Sequence, residues 1–258
     1  MHAGLVRSLL CTLAAVLAPV MALGQCMSVP FEGKPFTVCR HDPSDGELRL
    51  FHSDESGEPY GQFGALARDL AAHGQELKFA MNAGMYHDDR APVGLYVEAG
   101  RTRAPLSLAD GPGNFHLLPN GVFWADGETF GISESRAFAE AGQAVAYATQ
   151  SGPMLVLDGE LHPAFRPASR SRYRRNAIGV SADGKTAWLA ISEVPVNFHL
   201  FARLFRDHLG TPDALYLDGN ISKLYAPALD RNERGLDMGP MIGVVVPSSG
   251  PDAGKETQ

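Results

Sequence analysis

The stretch ALYLDGNISKLYAP, residues 214–227, begins as a buried strand should, with Leu215, Tyr216 and Leu217 in succession, and then breaks at Asp218-Gly219-Asn220-Ile221-Ser222. Two readings compete for that break. Asp-Gly between apolar runs is a hairpin signal, because a two-residue turn needs positive φ and these residues adopt it at little cost. A strand that stops at a carboxylate beside small residues also suits the presentation of a reactive group. Which reading holds decides how the rest of the chain is assembled.

Working outward, apolar strand-like runs dominate: LRLFHS, ELKFAMN, VGLYVEAG, NGVFWAD, TFGIS, GPMLVLDGELH, AIGVSADGKTAWLAIS and MIGVVVP. Two helices are predicted. One runs from about Gly61 to His73, with Phe63, Leu66, Ala67 and Leu70 on one face and Gly74 as its stop; the other carries Phe201, Leu204, Phe205 and Leu209 before Gly210. The expected fold is α/β (α+β), a single domain over residues 25–248 with a large mixed β-sheet and a few packed helices. Each helix leads into a strand that ends in a polar residue, Asn82 in the first case and Asp218 in the second. If both strands share a sheet, the two side chains emerge at one edge.

Residues 1–24 read as a secretory signal peptide, with Arg7 before a long apolar run that ends in small residues at Ala22 and Gly24. No later run reaches the ~20 apolar residues of a membrane span, so no stable membrane insertion is expected after cleavage and the protein is placed in the periplasm or outside the cell. Loss of Arg7 takes the formal charge from −7 to −8, spread along the chain, which argues against a nucleic-acid partner. Cleavage also removes Cys11, leaving Cys26 and Cys39 as the two cysteines in an oxidising compartment and predicting a disulfide between them. The end of the chain, 249–258, lacks apolar residues able to pack and reads as a disordered tail.

Four stretches pair a strand end with small residues and a committed polar group: MNAGMY at 81–86, TQSGPMLVLDGEL at 149–161, RRNAIGVSADGK at 174–185, and YLDGNIS. Asp158-Gly159 and Asp183-Gly184 also suit tight turns. The run RPASRSRYRRN holds five arginines and no lysine in an otherwise acidic protein. It is either a solvated loop or a loop for an anionic ligand, since the guanidinium fork matches phosphate oxygens. There is no phosphate-binding glycine loop, no Gly-x-Ser-x-Gly elbow, no His-Glu-x-x-His and no cysteine pair at zinc spacing. Among scattered histidines, His116 in GNFHLLPNGVFW is the one placed near a site.

Taken in order, the four stretches resemble the phosphodiester glycosidase family, whose pattern runs Asn-Gly-Gly-Phe-Phe, Thr/Ser-Gly-Pro-x-Leu-Val, Arg-x-Ala-x-Gly with a following Asp-Gly, and Leu-Asp-Gly-Gly-Gly-Ser. Here these are MNAGMY, QSGPMLVLDGEL, RNAIGVSADGK and LDGNISKLY, and the resemblance covers roughly residues 75–246. Two motifs depart from it. Ala83 stands for a glycine and Met85-Tyr86 for paired aromatics, and Asn220-Ile221 stand where the family has two glycines.

The resemblance implies an exported hydrolase that cleaves a glycosidic bond in a sugar-1-phosphodiester or related envelope glycan, with a carbohydrate or sugar-phosphate as partner. Asp218 is the leading carboxylate, with Asp158 and Glu193 as candidate seconds. Arg175 is assigned to the phosphate, and Asn82, Asn176 and Ser222 to orienting oxygens. Gly84, Ser151, Gly152, Gly219 and His116 complete the expected substrate-binding set. The sequence requires no cofactor and leaves a divalent metal open. Two other functions stand beside this one: a non-catalytic glycan-binding protein that retains the fold, and a metal-dependent phosphodiesterase.

Overall fold

The computed structural model describes residues 26–218 and 221–248. The leader expected at 1–24, the tail expected at 249–258 and the expected site residue Gly219 lie outside the described residues. The first sheet has seven strands in the order β1 (Cys26–Phe31), β2 (Lys34–His41), β13 (Ala187–Ser192), β12 (Asn176–Val180), β14 (Asp213–Asp218), β10 (Met154–Leu157) and β11 (Glu160–Leu161). The second is β16 (Arg231–Asn232), β15 (Leu224–Ala226), β4 (Gln75–Asn82), β17 (Met241–Pro247) and β3 (Glu47–Phe51). The third is β6 (Arg101–Ala104), β5 (Tyr96–Glu98), β9 (Tyr147–Ser151), β7 (Gly121–Ala125) and β8 (Phe130–Glu134).

The α+β class therefore holds, but the one large mixed sheet is three antiparallel sheets. The physical reason is the alternation within each strand. Leu215 and Leu217 of β14, Met81 of β4, Ile242 and Val244 of β17, and Phe123 of β7 all turn to one shared core. Residues of opposite parity face outward to a helix. Tyr216 and Ala214 join the cluster of α3 (Phe198–Arg203), while Ala80 and Met241 pack with Phe63, Leu66 and Leu70 of α1 (Phe63–Ala72). A third helix unread in the sequence, α2 (Ser135–Ala141), brings Phe138 against the outer face of the third sheet. Each buried Leu or Phe contributes about 1.5–3 kcal/mol, so splitting the strands into three sheets lets both faces contribute.

Both predicted helices end at the expected glycines, Gly74 (φ +70°) and Gly210 (φ +68°), where the left-handed conformation stops the helix. The second helix begins at the cap Asn197, whose side chain accepts from the Leu200 amide at 2.9 Å, and passes into a π-helical turn over Leu204–His208. Gly179 is what lets this turn press on the sheet, since a Cβ there would lie 2.6 Å from the Phe205 ring.

The N-terminal hairpin escaped the sequence reading because Pro30 and Pro35 argue against a strand. They face each other across the Glu32-Gly33 turn, with β1 at the sheet edge, where proline is tolerated. Cys26 and Cys39 are directly opposite in this hairpin and are joined in a disulfide, as expected. By chain-entropy arguments the closed loop is worth ~3 kcal/mol. Reductant should lower the denaturant midpoint accordingly, while alkylation of the unreduced protein should label neither cysteine.

At the end of β2, His41 is fully buried with neither ring nitrogen hydrogen-bonded. Burial pushes it down to about 4, against the opposing pull of Asp45 and Asp42. The folded value lies below the unfolded one near 6.5, so its contribution is complete above pH 6.5 and is lost as the pH falls from there towards 4. The loss is on the order of 3 kcal/mol. His41→Leu should flatten this part of the stability profile, measured by denaturant unfolding at successive pH values.

Candidate active site

The break after β14 is not a hairpin. β14 pairs with β12 and β10, whereas the next strand, β15, pairs with β4 and β16, so the chain leaves the first sheet at Asp218 and enters the second at Leu224. Opposite Asn176 and Ala177 stand Asp218 and Tyr216, with Leu217 absorbed as a bulge. Bulges raise local twist and re-aim a strand end, here the end that carries the carboxylate.

Asn82 and Asn176 hold the two sheets together at this point. Asn176 Nδ2 donates to the Asn82 carbonyl oxygen at 2.8 Å, and Asn82 Nδ2 donates to Asn176 Oδ1 at 3.2 Å. Asn82 Oδ1 accepts from the Lys223 amide at 3.0 Å. Ser222 Oγ lies 2.9 Å from the Asp218 carbonyl oxygen, 3.1 Å from that of Arg174 and 3.3 Å from Asn176 Oδ1, and its one proton serves them in turn. Asn82 and Asp218 thus meet as the sequence suggested, but from two sheets instead of one edge.

Beside this junction opens a pocket of about 630 Å³. Asp218, 7 % exposed, is the one carboxylate on its wall among the described residues. The rings of Tyr86, Phe115, Tyr173 and Tyr216 surround it, and Asn114, His116 and Ser171 add polar groups. Burial raises the Tyr86 hydroxyl above its ordinary value, and the Asp218 charge adds to the effect. His116 Nδ1 is 2.9 Å from the Ala109 carbonyl oxygen, which can only accept. The neutral ring therefore carries its proton on Nδ1 and keeps Nε2 as an acceptor.

The wall that carries Asn114, Phe115 and His116 is held from β9 and its flanks. Gln150 Oε1 accepts from the Leu95 and Ser107 amides at 3.1 and 2.9 Å, and its Nε2 donates to the Ser107 carbonyl oxygen at 2.7 Å. Asn120 Nδ2 donates to the Phe115 carbonyl oxygen at 2.9 Å. Gly152 is required for close approach, since a Cβ would lie 2.8 Å from that same oxygen. Ser151 Oγ donates to the Leu217 carbonyl oxygen at 2.9 Å, so Ser151 and Gly152 brace the site from behind. Gly84 does the same, its added Cβ falling 3.1 Å from Thr149 Oγ1.

Of the expected site residues only Asp218 and His116 line the pocket among the described residues; Asn82, Asn176, Ser222, Gly84, Ser151 and Gly152 stand behind it, and Asp158, Glu193 and Arg175 have other settings. Asp158 is the first residue of the turn between β10 and β11, with φ +51° and its amide bonded to Asp213 Oδ1 at 3.1 Å. It sits at the opposite end of β14 from Asp218, so its turn reading was the right one. Glu193 is held by Arg231 Nη1 and Thr37 Oγ1, both at 2.6 Å, and its charge is already matched.

Arg175 is fully buried and lies behind the wall instead of on it. Its guanidinium donates to the Val196 carbonyl oxygen (2.9 Å), the Tyr216 hydroxyl (3.2 Å) and the Ser171 carbonyl oxygen (3.3 Å), and lies 3.7 Å from the Phe198 ring centroid. Burial lowers its pKa, with Tyr216 opposing. Among the described residues, no group of three or more His, Cys, Asp and Glu is placed to hold a metal ion.

The reading missed Tyr86, Tyr173, Tyr216 and Gln150. Each lies within or beside a quoted motif, but single tyrosines and glutamines carry no spacing signal.

The sequence profile of the phosphodiester glycosidase family matches residues 75–240. Uncharacterized protein YigE of Escherichia coli strain K12 is 36% identical over 184 residues, 71% of each chain. The catalytic domain of zebrafish N-acetylglucosamine-1-phosphodiester alpha-N-acetylglucosaminidase, solved auto-inhibited by its pro-peptide, has a TM-score of 0.57 at 12% identity, covering 85% of this chain and 81% of that one. A hypothetical protein from Synechocystis has a TM-score of 0.56 at 17% identity, covering 86% of this chain and 61% of its own. The chain belongs to the phosphodiester glycosidase family.

Removing the Asn82 side chain leaves the Lys223 amide and Asn176 Oδ1 short of a buried partner. At ~1–3 kcal/mol for each unsatisfied group, Asn82→Ala should destabilise the protein by ~2–5 kcal/mol in denaturant unfolding.

Proposed function

We propose that this member of the phosphodiester glycosidase family is a hydrolase that cleaves the bond between the anomeric carbon of a sugar and the oxygen of a phosphodiester, with Asp218 as its carboxylate. The observation that carries the reading is a pocket lined by aromatic rings and, among the described residues, by a single acid, Asp218. An ordinary glycosidase sets two carboxyl groups about the bond, one to protonate the leaving oxygen and one to face the anomeric carbon. The phosphate monoester departs as a dianion whose conjugate acid has a pKa of about 6, so it is a far better leaving group than the alkoxide of an ordinary glycoside. It leaves without a proton donor, and one carboxylate suffices.

On this reading Asp218 stabilises the positive charge that develops on the sugar ring, or takes a proton from the attacking water. The tyrosine and phenylalanine faces pack against the apolar faces of the sugar while Asn114, Ser171 and the tyrosine hydroxyls meet its hydroxyl groups. Nε2 of His116 offers a second acceptor. The cation of Arg175, behind Tyr173 and Tyr216, biases the pocket towards anions without touching them. The leader and the disulfide support action outside the cytoplasm, in the periplasm or beyond the cell, on an envelope glycan. The zebrafish relative's name makes a phosphodiester of N-acetylglucosamine-1-phosphate the first substrate to try.

Asp218→Asn keeps the shape of the side chain and removes its charge. We expect kcat/KM on a sugar-1-phosphodiester to fall at least ~100-fold, with the melting temperature unchanged. A wild-type protein inactive on sugar-1-phosphodiesters that binds envelope glycan as tightly as Asp218→Asn would favour the binding-protein function.

A further inference from the structure

The catalytic pocket does not stand alone. Ile221 lies on its wall and also on the wall of a second cavity of about 460 Å³, which Arg174, Lys223, Arg234 and Leu236 line. Arg234 in turn belongs to a third cavity, of about 420 Å³, together with Tyr60, Gln62 and Arg68. Neighbouring cavities share a wall residue, Ile221 between the first and second and Arg234 between the second and third, so the three form a row, an interrupted groove, that starts at Asp218.

We infer that this groove takes an extended polyanionic glycan, a chain of repeating sugar-phosphate units, so that the scissile bond lies over Asp218 and further repeats occupy the second and third cavities. The inference rests on the function proposed above and specifies its substrate class. Charge carries the first part of the argument. Arg174, Lys223, Arg234 and Arg68 line the two outer cavities against one acid, Glu233. Glu233 is already bound by Arg174 at 2.7 and 2.8 Å and by Arg231, which leaves a surplus of positive charge in a protein whose formal charge is −7. Nearby Asp237 carries a further negative charge, set against Arg90 at 3.7 Å, and accepts from Gln62 Nε2 at 2.7 Å. Arg68 and Arg234 are exposed and make no ion pair among the described residues.

Lys223 is built into the groove. It is 8 % exposed, its Nζ donates to the Leu236 carbonyl oxygen, and burial lowers its pKa, so a nearby anion would recover part of that cost. Apolar surface completes the argument, because Leu236 is 73 % exposed on the second cavity and Tyr60 lies on the third. Cations together with apolar side chains in both outer cavities suit a polymer that carries phosphates and sugar rings.

The test compares two probes: the methyl phosphodiester of N-acetylglucosamine-1-phosphate, and an oligomer of about four N-acetylhexosamine-1-phosphate repeats. The wild type should show a kcat/KM at least ~10-fold higher on the oligomer, and the double variant Arg68→Ala/Arg234→Ala should bring that ratio close to one. Arg101→Ala, an exposed arginine on β6 remote from the groove, should leave the ratio as it is. An unchanged ratio in the double variant, or no oligomer preference in the wild type, overturns the groove while the hydrolase stands.

If neither probe is cleaved, the hydrolase fails and the groove is judged by calorimetric binding of the oligomer to Asp218→Asn. Binding that weakens at least ~10-fold on adding Arg68→Ala/Arg234→Ala upholds the groove. Absence of binding, or equal binding of an oligodeoxynucleotide of the same charge, overturns it.

Discussion

The paired amides of Asn82 and Asn176 are the constraint on which the site depends. A strand end from one sheet and a strand start from another are fixed to each other by two hydrogen bonds, and a third ties Asn82 to Lys223 just beyond the crossover. Side-chain amides suit this role because each offers a donor and an acceptor at once, so two of them close a circuit without any net charge. Asp218 is opposite Asn176 in the ladder, so whatever positions Asn176 positions the carboxylate. The neutral clasp leaves the charge at this junction to the carboxylate. A buried ion pair at the same place would have imposed a desolvation cost and a field of its own.

Arginine is used in three ways around that clasp. Arg175 is buried against Phe198 and between carbonyl oxygens, a setting in which hydrogen bonds and ring faces replace water around the guanidinium. Arg174 and Arg231 neutralise Glu193 and Glu233, and the network reaches Thr37 of β2, so it ties the N-terminal hairpin to the segment after the crossover. Arg68 and Arg234 are exposed. One residue type thus supplies packing, cross-linking and surface charge. The basic run in the sequence cannot be assigned to any one of these without the fold, since Arg174 and Arg175 are neighbours and do different things.

The strands with alternating apolar residues were legible, as were both longer helices and their glycine stops, because those signals are local. The disulfide followed from cysteine count and compartment. What stayed hidden depends on neighbours distant in the chain. β9 reads YATQS, polar enough to pass for a loop, yet it is a fully buried central strand whose Thr149, Gln150 and Ser151 each satisfy a backbone group of another element. Polarity in such a strand is a hydrogen-bond demand made by loops that the sequence does not place beside it. The same limit explains the carboxylates. Asp158, Asp183 and Asp218 all precede glycine, and only the pairing of the following strand separates a turn from a crossover.

Three of the departures from the family pattern fall on the pocket, whereas Ala83 is buried in the core and Asn220 lies outside the described residues. Met85, Tyr86 and Ile221 all line the pocket wall, and Gly239 keeps the Tyr86 ring close, because a Cβ there would lie 2.7 Å from it. Asn82 and Ser222, which help hold the crossover, match the pattern, and Asn176 falls on a position that the pattern leaves open. Three wall residues thus differ from the pattern while Asn82, one of the two amides that locate Asp218, agrees with it. Isoleucine at position 221 sets a branched apolar side chain on the walls of both the first and the second cavity, where the family pattern has glycine. That side chain stands where the two cavities adjoin, and on the proposed reading a slender phosphodiester linkage lies beside it more readily than a sugar ring does. On the proposed reading, the exchange of glycine for isoleucine fixes where along a glycan the linkage must lie, directly beside Asp218.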